Sequence, residues 1–308
     1  MKWIISMKVK DYIRDWSDQE INTEYDGVNV NISIKDMNCT MILEGVDNVE
    51  KTFRLVWELL YLYDGYFYEP ISYDVDGVKK NPRDLIKLEL YKTDKKWYSS
   101  ELLGRSERDL STDVISRYDK FRNESISEKK MTKSVVNAFY YLTSESYGKI
   151  NVNHRLSLLL NIADGFVINT YKETNDVKAS CDRFFKKTLD ISKLQKGISL
   201  LGINADTYKW LLAEERNAFD HYVYSENCLA TFVHDADDEI TEYVTWYFVY
   251  VMELVTRINF LKESGVLLKQ EFIDYALELI NDWIIYENEL DEECTTHRYS
   301  GSVVKTKI

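Results

Sequence analysis

Residues 27–35 read Gly-Val-Asn-Val-Asn-Ile-Ser-Ile-Lys, with an apolar side chain at every second position from Val28 to Ile34. A period of two is typical of a strand with one buried and one exposed face. A second apolar run, Cys39–Leu43, follows a short polar turn, so we expect the two strands to pair. Over Asn48–Tyr63 the apolar residues instead fall on one helical face. The first hundred residues therefore predict a β-rich region with one helix.

Three more strands are predicted in this region, separated by turn dipeptides. The strands are Tyr66–Tyr68, Ile71–Val75 and Leu85–Tyr91, and the dipeptides are Glu69-Pro70, Asp76-Gly77 and Asn81-Pro82. The chain has only two prolines, Pro70 and Pro82. Because proline breaks helices, their absence after residue 82 favours a mostly helical remainder.

From Thr132 onward the apolar period is helical. The predicted helices are Lys133–Ser146, Val152–Tyr171, Val177–Leu189, Ala205–Tyr222, Asp238–Lys262 and Lys269–Tyr286. Ser264-Gly265 separates the last two, as glycine commonly does after a helix. The charged stretch between about Ser99 and Lys133 suggests a domain boundary. We expect an α+β chain: a β-rich N-terminal domain over residues 1–110, a helical bundle over 111–287, and a loose acidic tail over 288–308.

The net charge of −13 argues against a protein that coats nucleic acid nonspecifically, because such binding depends on positive charge. A local basic cleft remains compatible with it. Lys79–Lys96 holds seven Lys/Arg against three Asp/Glu, and Lys178–Lys196 holds six against two. Either stretch also fits an ordinary solvated surface. Within the second, Lys186 and Lys187 are candidate RNA contacts.

Several site classes find no support in the sequence. The four cysteines form no CxxC pair, so neither a zinc knuckle nor a thioredoxin-like motif is indicated. The acidic run His234–Glu239 fits helix capping better than a metal site. No phosphate-binding loop, dinucleotide fingerprint, HExxH or GxSxG motif occurs. We therefore expect neither a metal nor a cofactor.

The sequence also favours a cytoplasmic protein without membrane contact. The N-terminal apolar run is too short for a signal peptide and is soon interrupted by Lys8 and Lys10. The most apolar predicted helix, around Tyr243–Val255, contains Glu253 and is shorter than the roughly 20 residues that a membrane span needs.

The most specific motif is Arg216-Asn217-Ala218-Phe219-Asp220-His221. Arginine binds phosphate through a fork of donors and stays charged, and histidine exchanges protons near neutral pH. Together they can support RNA cleavage without a metal. On a helix Asn217 and His221 share a face, whereas Arg216 lies about 140° away from His221. A structural alternative stays open: Arg216 and Asp220 are four apart and can form an ion pair, with His221 at a helix end.

The pattern Glu215-Arg216-Asn217-x3-His221, late in a predicted helical bundle, resembles the HEPN family of nucleases. The earlier helix from Asn153 to Asp164, Asn-His-Arg-Leu-Ser-Leu-Leu-Leu-Asn-Ile-Ala-Asp, resembles the first long HEPN helix of ApeA-type anti-phage proteins. Asp164 stands where that family more often has glutamate. The order of a β-rich part before a helical part also resembles the ApeA layout. The resemblance covers roughly Thr132 to Tyr286.

This resemblance implies an all-α HEPN-type bundle and a metal-independent endoribonuclease of abortive infection. HEPN proteins usually dimerise so that two Arg-x4-His motifs face each other. The 2′-hydroxyl of RNA would attack the phosphorus, with His221 as general acid or base, Arg216 on the phosphate and Asn217 orienting the histidine or the RNA. Arg155, in the earlier helix, is a further candidate RNA contact. A phage-derived trigger or an inhibitory partner would act through the N-terminal part.

Two alternatives remain. The bundle could be a HEPN-like interaction module without catalysis, or the toxin of a toxin–antitoxin pair. HEPN toxins inactivated by nucleotidylation carry tyrosine two positions after the histidine, where this chain has Val223 between Tyr222 and Tyr224. That difference weighs against control by a nucleotidyltransferase partner.

Overall fold

The computed structural model describes residues 1–8, 18–36, 38–65, 68–85, 108–127, 154–162, 238–278 and 280. The chain divides into two compact units. The first, here called the sheet unit, comprises Met1–Lys149 and Phe260–Phe272. The second comprises Ile150–Asn259 and Ile273–Ile308. The domain bounds at residues 110 and 287 remain predictions.

In the described part of the sheet unit, six antiparallel strands form a sheet. They are β1 (Lys2–Lys8), β2 (Gln19–Tyr25), β3 (Val28–Lys35), β4 (Asn38–Glu44), β5 (Glu69–Val75) and β6 (Val78–Lys80). Their order in the sheet is β2-β3-β4-β1-β5-β6. The N-terminal strand β1 thus lies inside the sheet, paired with β4 through Ile4↔Ile42 and with β5 through Ile5↔Tyr73.

Alternation along the strands gives the sheet one buried face. In β3 every second residue from Val28 to Ile34 is buried, and β4 buries the residues at its own alternate positions from Cys39 to Leu43. The two strands pair as Ile34↔Cys39. The predicted strands at residues 27–35 and 39–43 and their pairing are confirmed, and the strand predicted at 71–75 is confirmed within β5.

Two Asp-Gly dipeptides close the tight hairpins. Asp26-Gly27 joins β2 to β3 and Asp76-Gly77 joins β5 to β6, and all four residues have positive φ between 51° and 83°. Positive φ at both central positions is the requirement of a type I′ turn, which matches the twist of the flanking strands. The predicted turn at Asp76-Gly77 is confirmed.

Within the described residues, the N-terminal part contains the helices α1 (Val49–Asp64), α2 (Pro82–Leu85) and α3 (Thr112–Ser127). The predicted helix at residues 48–63 is confirmed as α1. Helix α1 contacts β4 and α3, while α3 also contacts β2. Because α1 has neighbours on more than one side, most of its residues are buried, including the charged Glu58 and Asp64. A helix buried on several sides must give such charges partners.

Several local expectations were wrong. Glu69-Pro70 is part of β5 rather than a turn, and Pro70 pairs with Met7 where the β1–β5 register shifts. Proline is tolerated there because an irregularity relieves the missing N–H. Leu85 ends the short helix α2 instead of beginning a strand. The sequence patterns do not predict strands β1 and β2 or helix α3. The remaining residues of the predicted strands at 66–68 and 85–91 fall mainly outside the described residues.

Helices follow the sheet along the chain, so the fold is α+β. Residues 154–162 are helical (α4), α5 spans Asp238–Glu263, and residues 270–278 form α6. The predicted helix at 238–262 is confirmed. Helices α4 and α6 lie within the helices predicted at 152–171 and 269–286. The helices predicted at 133–146, 177–189 and 205–222 lie outside the described residues, so the HEPN-type bundle remains a prediction.

Gly265 ends α5 as the sequence predicts. Its φ is +80°, its N–H donates to the carbonyl of Lys262, and the N–H of Val266 donates to that of Leu261. These two bonds are the Schellman pattern, which satisfies the last carbonyls of a helix.

We expect Gly265→Ala to destabilise the protein by about 1 kcal/mol or more, because alanine is strained at positive φ. Its Cβ would also lie 2.6 Å from Cδ of Arg117. Gly77→Ala is the matched control, since Gly77 has φ +83° and open space around it. Urea unfolding should show the larger loss for Gly265→Ala. Equal losses would mean that Arg117 moves aside freely.

Candidate functional site

The residues of the predicted nuclease motif, Arg216, Asn217 and His221, lie outside the described residues, as do Lys186 and Lys187. Of the predicted site residues, the structure describes Arg155. For the predicted site, the structure therefore describes only the helix that carries Arg155 and the packing of that helix in the second unit.

Arg155 is a packed residue of α4. It is only 5% exposed, and its guanidinium carbon lies 4.9 Å from the centroid of the Trp246 ring. The Trp246 ring in turn lies 5.5 Å from that of Tyr250, at 30° between the planes. An arginine over an indole face gains a cation–π attraction that grows as water is excluded. Arg155 thus helps to hold α4 against α5, and its role in RNA binding remains a prediction.

The leucines of α4, the helix that carries Arg155, are core residues. Leu156, Leu159 and Leu160 are fully buried, at the i, i+3, i+4 spacing of one helical face, and Ser157 is buried beside them. The Arg-Leu-Ser-Leu-Leu-Leu run that resembles the first HEPN helix is therefore a buried helix in this chain.

Helix α5 carries a set of buried polar groups that no sequence motif announces. Glu253, Arg257, Thr256 and Asn259 are all buried. The Thr256 hydroxyl donates to the carbonyl of Met252 at 2.8 Å. In the sequence, Glu253 serves only as an argument against a membrane span. The signal that could have found the set is a Glu and an Arg four positions apart within an apolar helix.

In the sheet unit the strongest electrostatic feature is a buried ion pair between Asp64 and Arg108. Nε of Arg108 lies 2.8 Å from Oδ1 and 3.0 Å from Oδ2 of Asp64, and both side chains are at most 1% exposed. The Tyr68 hydroxyl donates to Oδ2 of the same carboxylate at 2.5 Å. Burial by itself lowers the pKa of the Arg108 guanidinium, but Asp64 and the neighbouring Tyr68 and Cys39 together outweigh burial, and the pKa rises. Arg108 therefore stays charged inside the protein.

Hydrogen bonds also fix the backbone of the segment that leads into α3. Oε1 of Gln19 accepts from the Arg108 backbone N–H at 3.1 Å, and Nε2 of Gln19 donates to the Arg108 carbonyl. The Tyr63 hydroxyl accepts from the Asp109 N–H and donates to the Asp109 carbonyl. Side chains of β2 and α1 thus satisfy these backbone groups as a neighbouring strand would.

A second buried carboxylate, Glu58, joins α1 to α3. The Tyr118 hydroxyl donates to its Oε2 at 2.7 Å, and Arg122 donates from Nε at 3.0 Å and from Nη2 at 3.2 Å. Burial raises the pKa of Glu58 even though Arg122 and Tyr118 favour its charged form. Two arginines, Arg108 and Arg122, thus fasten α3 and its leading segment to two carboxylates of α1.

We expect the buried carboxylate of Glu58 to make stability depend on pH. Its pKa is raised in the folded protein, so the stabilisation is present below the ordinary glutamate pKa of 4.5 and is lost as the pH rises through the folded pKa. Glu58→Gln cannot titrate. The stability of the wild type relative to Glu58→Gln should therefore fall as the pH rises from the ordinary glutamate pKa toward neutrality in urea unfolding.

The exposed pair Glu50–Arg54 provides the control for this measurement. Glu50→Gln should have nearly the same free energy of unfolding as the wild type, because an exposed ion pair contributes little to stability. A constant difference between wild type and Glu58→Gln would contradict the burial argument.

These buried clusters are better suited to stabilising the fold than to transferring protons. Burial raises the pKa of Tyr68 well above 10 and that of Cys39 to about 12, so neither group ionises near neutral pH. Within the part of the chain that the structure describes, no group of three His, Cys, Asp or Glu is placed to hold a metal ion. Nor does any helix of the described ranges combine the length and apolarity needed to cross a membrane.

The described geometry thus contains structural ion pairs, a buried arginine on an indole and no assembled catalytic constellation. When the chain is compared with protein-family models, with curated proteins and with solved structures, none of the three comparisons finds a match.

Proposed function

We propose that the chain is a metal-independent endoribonuclease of an anti-phage or toxin system, with Arg216, Asn217 and His221 as its catalytic residues. The observation that carries the proposal is the motif Arg216-Asn217-x3-His221 placed after the Arg155–Asp164 segment. The α+β order, with a sheet before helices, supports it because the resemblance to ApeA-type HEPN proteins rests on the same order.

The residue types fit the chemistry of 2′-hydroxyl attack. One group must take the proton of the 2′-hydroxyl while another gives a proton to the departing 5′-oxygen. Neutral and charged histidine can perform these two tasks. Arg216 would bind the phosphate and stabilise the charge that develops on its oxygens. The products are a 2′,3′-cyclic phosphate and a 5′-hydroxyl, and the electrons and protons balance without a metal.

A homodimer would supply the second histidine and the second arginine. It would also concentrate positive charge around the RNA, which a chain of net charge −13 otherwise lacks. Lys186, Lys187 and Arg155 are the proposed additional RNA contacts. The sheet unit would respond to a trigger or restrain the nuclease, and the protein would act in the cytoplasm.

The test is incubation of purified protein with RNA in excess EDTA, beside Arg216→Ala and His221→Ala. We expect the wild type to cleave and both variants to be inactive. Arg298→Ala and His297→Ala are matched controls, because they remove the same residue types outside the motif. They should cleave like the wild type.

Three outcomes would overturn the proposal: no cleavage by the wild type, cleavage abolished by EDTA, or equal cleavage by wild type and motif variants. The first, with a folded dimer, would favour the alternative of a non-catalytic interaction module. Sedimentation should show a dimer, since a strict monomer without a partner cannot pair two motifs.

A further inference from the structure

The accessible surface of α5 is unusual because it is mainly aromatic. Within residues 246–261, all of which the structure describes, Trp246 and Tyr250 are half-buried and every other residue is buried. Tyr247 and Phe248, which lie between them in the sequence, are at most 2% exposed. The surface that this part of the helix leaves open to solvent therefore consists mainly of two large rings one helical turn apart.

The same face of α5 carries two buried charged residues. At 100° per residue, Trp246, Tyr250, Glu253 and Arg257 lie within about 60° of one another around the helix axis. Glu253 is buried and Arg257 is fully buried. Because the centre of a protein–protein interface is usually depleted of charged residues, a face that combines open rings with charges is better suited to a polar, planar ligand.

The two rings are held in place by α4. The guanidinium carbon of Arg155 lies 4.9 Å from the centroid of the Trp246 ring. The Tyr250 ring centroid lies 5.5 Å from that of Trp246, with 30° between the ring planes. The cation–π contact with the nearly covered Arg155 fixes the indole. Since the rings are ordered before a ligand arrives, stacking on them costs little conformational entropy.

An unpaired nucleobase is the ligand that fits such a surface. Every base has a flat face that can stack on an aromatic side chain, whatever its sequence. In a duplex the bases stack on one another, so proteins use this contact mainly with single strands. Stacking also does not depend on positive charge, which suits a chain of net charge −13.

We infer that Trp246 and Tyr250 form a stacking site for an unpaired base of single-stranded RNA, with Arg155 holding the indole in position. The choice of RNA rests on the proposed nuclease function. The stacking itself rests on the geometry of α4 and α5. The inference adds to the proposed function that the RNA is bound at this face as a single strand.

The test is the fluorescence anisotropy of a labelled single-stranded RNA about ten nucleotides long, within the range of known single-strand sites. The full chain carries His221→Ala, so that the RNA stays intact whether or not the proposed nuclease is active. Tyr250→Leu and Trp246→Leu remove a ring, and each should weaken binding about tenfold. Tyr250→Phe and Trp246→Phe are the matched controls, because they keep a ring and should bind like the parent chain.

Further ligands separate stacking from charge. A ribose-phosphate strand of the same length without bases should bind at least about tenfold more weakly than the RNA, and equally to the parent chain and Tyr250→Leu. A duplex of the same sequence should also bind more weakly, because its bases are already stacked. The loss in the leucine variants should be the same factor at low and high salt, since stacking releases no counterions.

Equal binding of the RNA by the parent chain and both leucine variants would overturn the inference, as would equal binding of single strand and duplex. Circular dichroism checks that the variants are folded. If the leucine variants do not fold, the parent chain decides the question, because equal binding of RNA and base-free strand would then overturn the inference.

Two outcomes separate this inference from its neighbours. Loss of the dimer in the leucine variants, measured by sedimentation without RNA, would assign the rings to a protein interface and overturn the inference. RNA binding that depends on the rings, together with a wild type that does not cleave, would support the stacking site and overturn the nuclease proposal alone.

Discussion

Replacing His221 by alanine is expected to slow the proposed RNA cleavage by about 10²- to 10⁴-fold, the usual contribution of a general acid or base. The loss should appear in single-turnover measurements with saturating protein, because it concerns the chemical step rather than RNA binding. In the proposed dimer the wild-type rate should depend on pH with a bell shape, because one His221 would have to be neutral and the other charged.

Substitutions of Arg216 separate charge from geometry. Arg216→Lys keeps the positive charge but loses the planar fork that matches phosphate, so its rate should lie between those of the wild type and Arg216→Ala. If Arg216 instead forms a surface ion pair with Asp220, both substitutions and Asp220→Asn should leave the rate unchanged. That result would support the structural alternative for the motif.

Replacing Arg108 by alanine is expected to destabilise the sheet unit by about 3–5 kcal/mol, because it leaves the Asp64 carboxylate buried and unpaired. The geometry supports a large value. Arg108 bonds Asp64 through Nε, and both side chains are essentially inaccessible to water. The substitution also removes the contact from Nη1 of Arg108 to Oε1 of Gln19 at 3.3 Å. Urea unfolding followed by circular dichroism measures the loss.

The double variant Asp64→Ala/Arg108→Ala tests whether the pair itself is responsible. It should lose clearly less stability than the sum of the two single variants, because no unpaired charge remains. The exposed pair Lys35–Glu20 is the control, and its removal should change the free energy of unfolding far less, because water screens an exposed pair. Additive losses at Asp64 and Arg108 would show that the two side chains contribute independently.

The elements that were predicted correctly have a strong internal period. Strand β3 alternates without interruption, and α5 is apolar over several turns. Strand β1 was missed because Ile4 and Ile5 are both apolar, which hides the alternation that buries Trp3, Ile5 and Met7. Strand β2 buries only Ile21 among polar residues, so its conformation depends on pairing with β3 rather than on its own sequence.

Helix α3 illustrates a signal that was present and overlooked. Val114, Ile115 and Tyr118 are buried at helical spacing, but the charged residues among them suggested a boundary region. The buried pairs of α1 could not have been predicted in the same way. Asp64 and Arg108 are 44 residues apart, and only the folded chain brings them together.

The evidence for the predicted nuclease motif is of a different kind from the evidence for the fold. It consists of the residue pattern and its resemblance to HEPN proteins. Spacing alone cannot establish that two copies of Arg216 and His221 face each other, since that arrangement depends on a second chain. Of the helix that precedes the motif, the structure describes residues 154–162, where Arg155 and the leucines pack as core.

Metal-independent attack by the 2′-hydroxyl is tested by comparing two oligonucleotides in EDTA: an RNA, and the same sequence with 2′-deoxyribose at the position where the RNA is cut. Mass spectrometry of the products identifies their ends. We expect the RNA to be cleaved to a 2′,3′-cyclic phosphate and a 5′-hydroxyl, and the deoxy-substituted strand to stay intact at that position. Cleavage of both strands at that position, or cleavage only when a divalent metal is added, would contradict this mechanism.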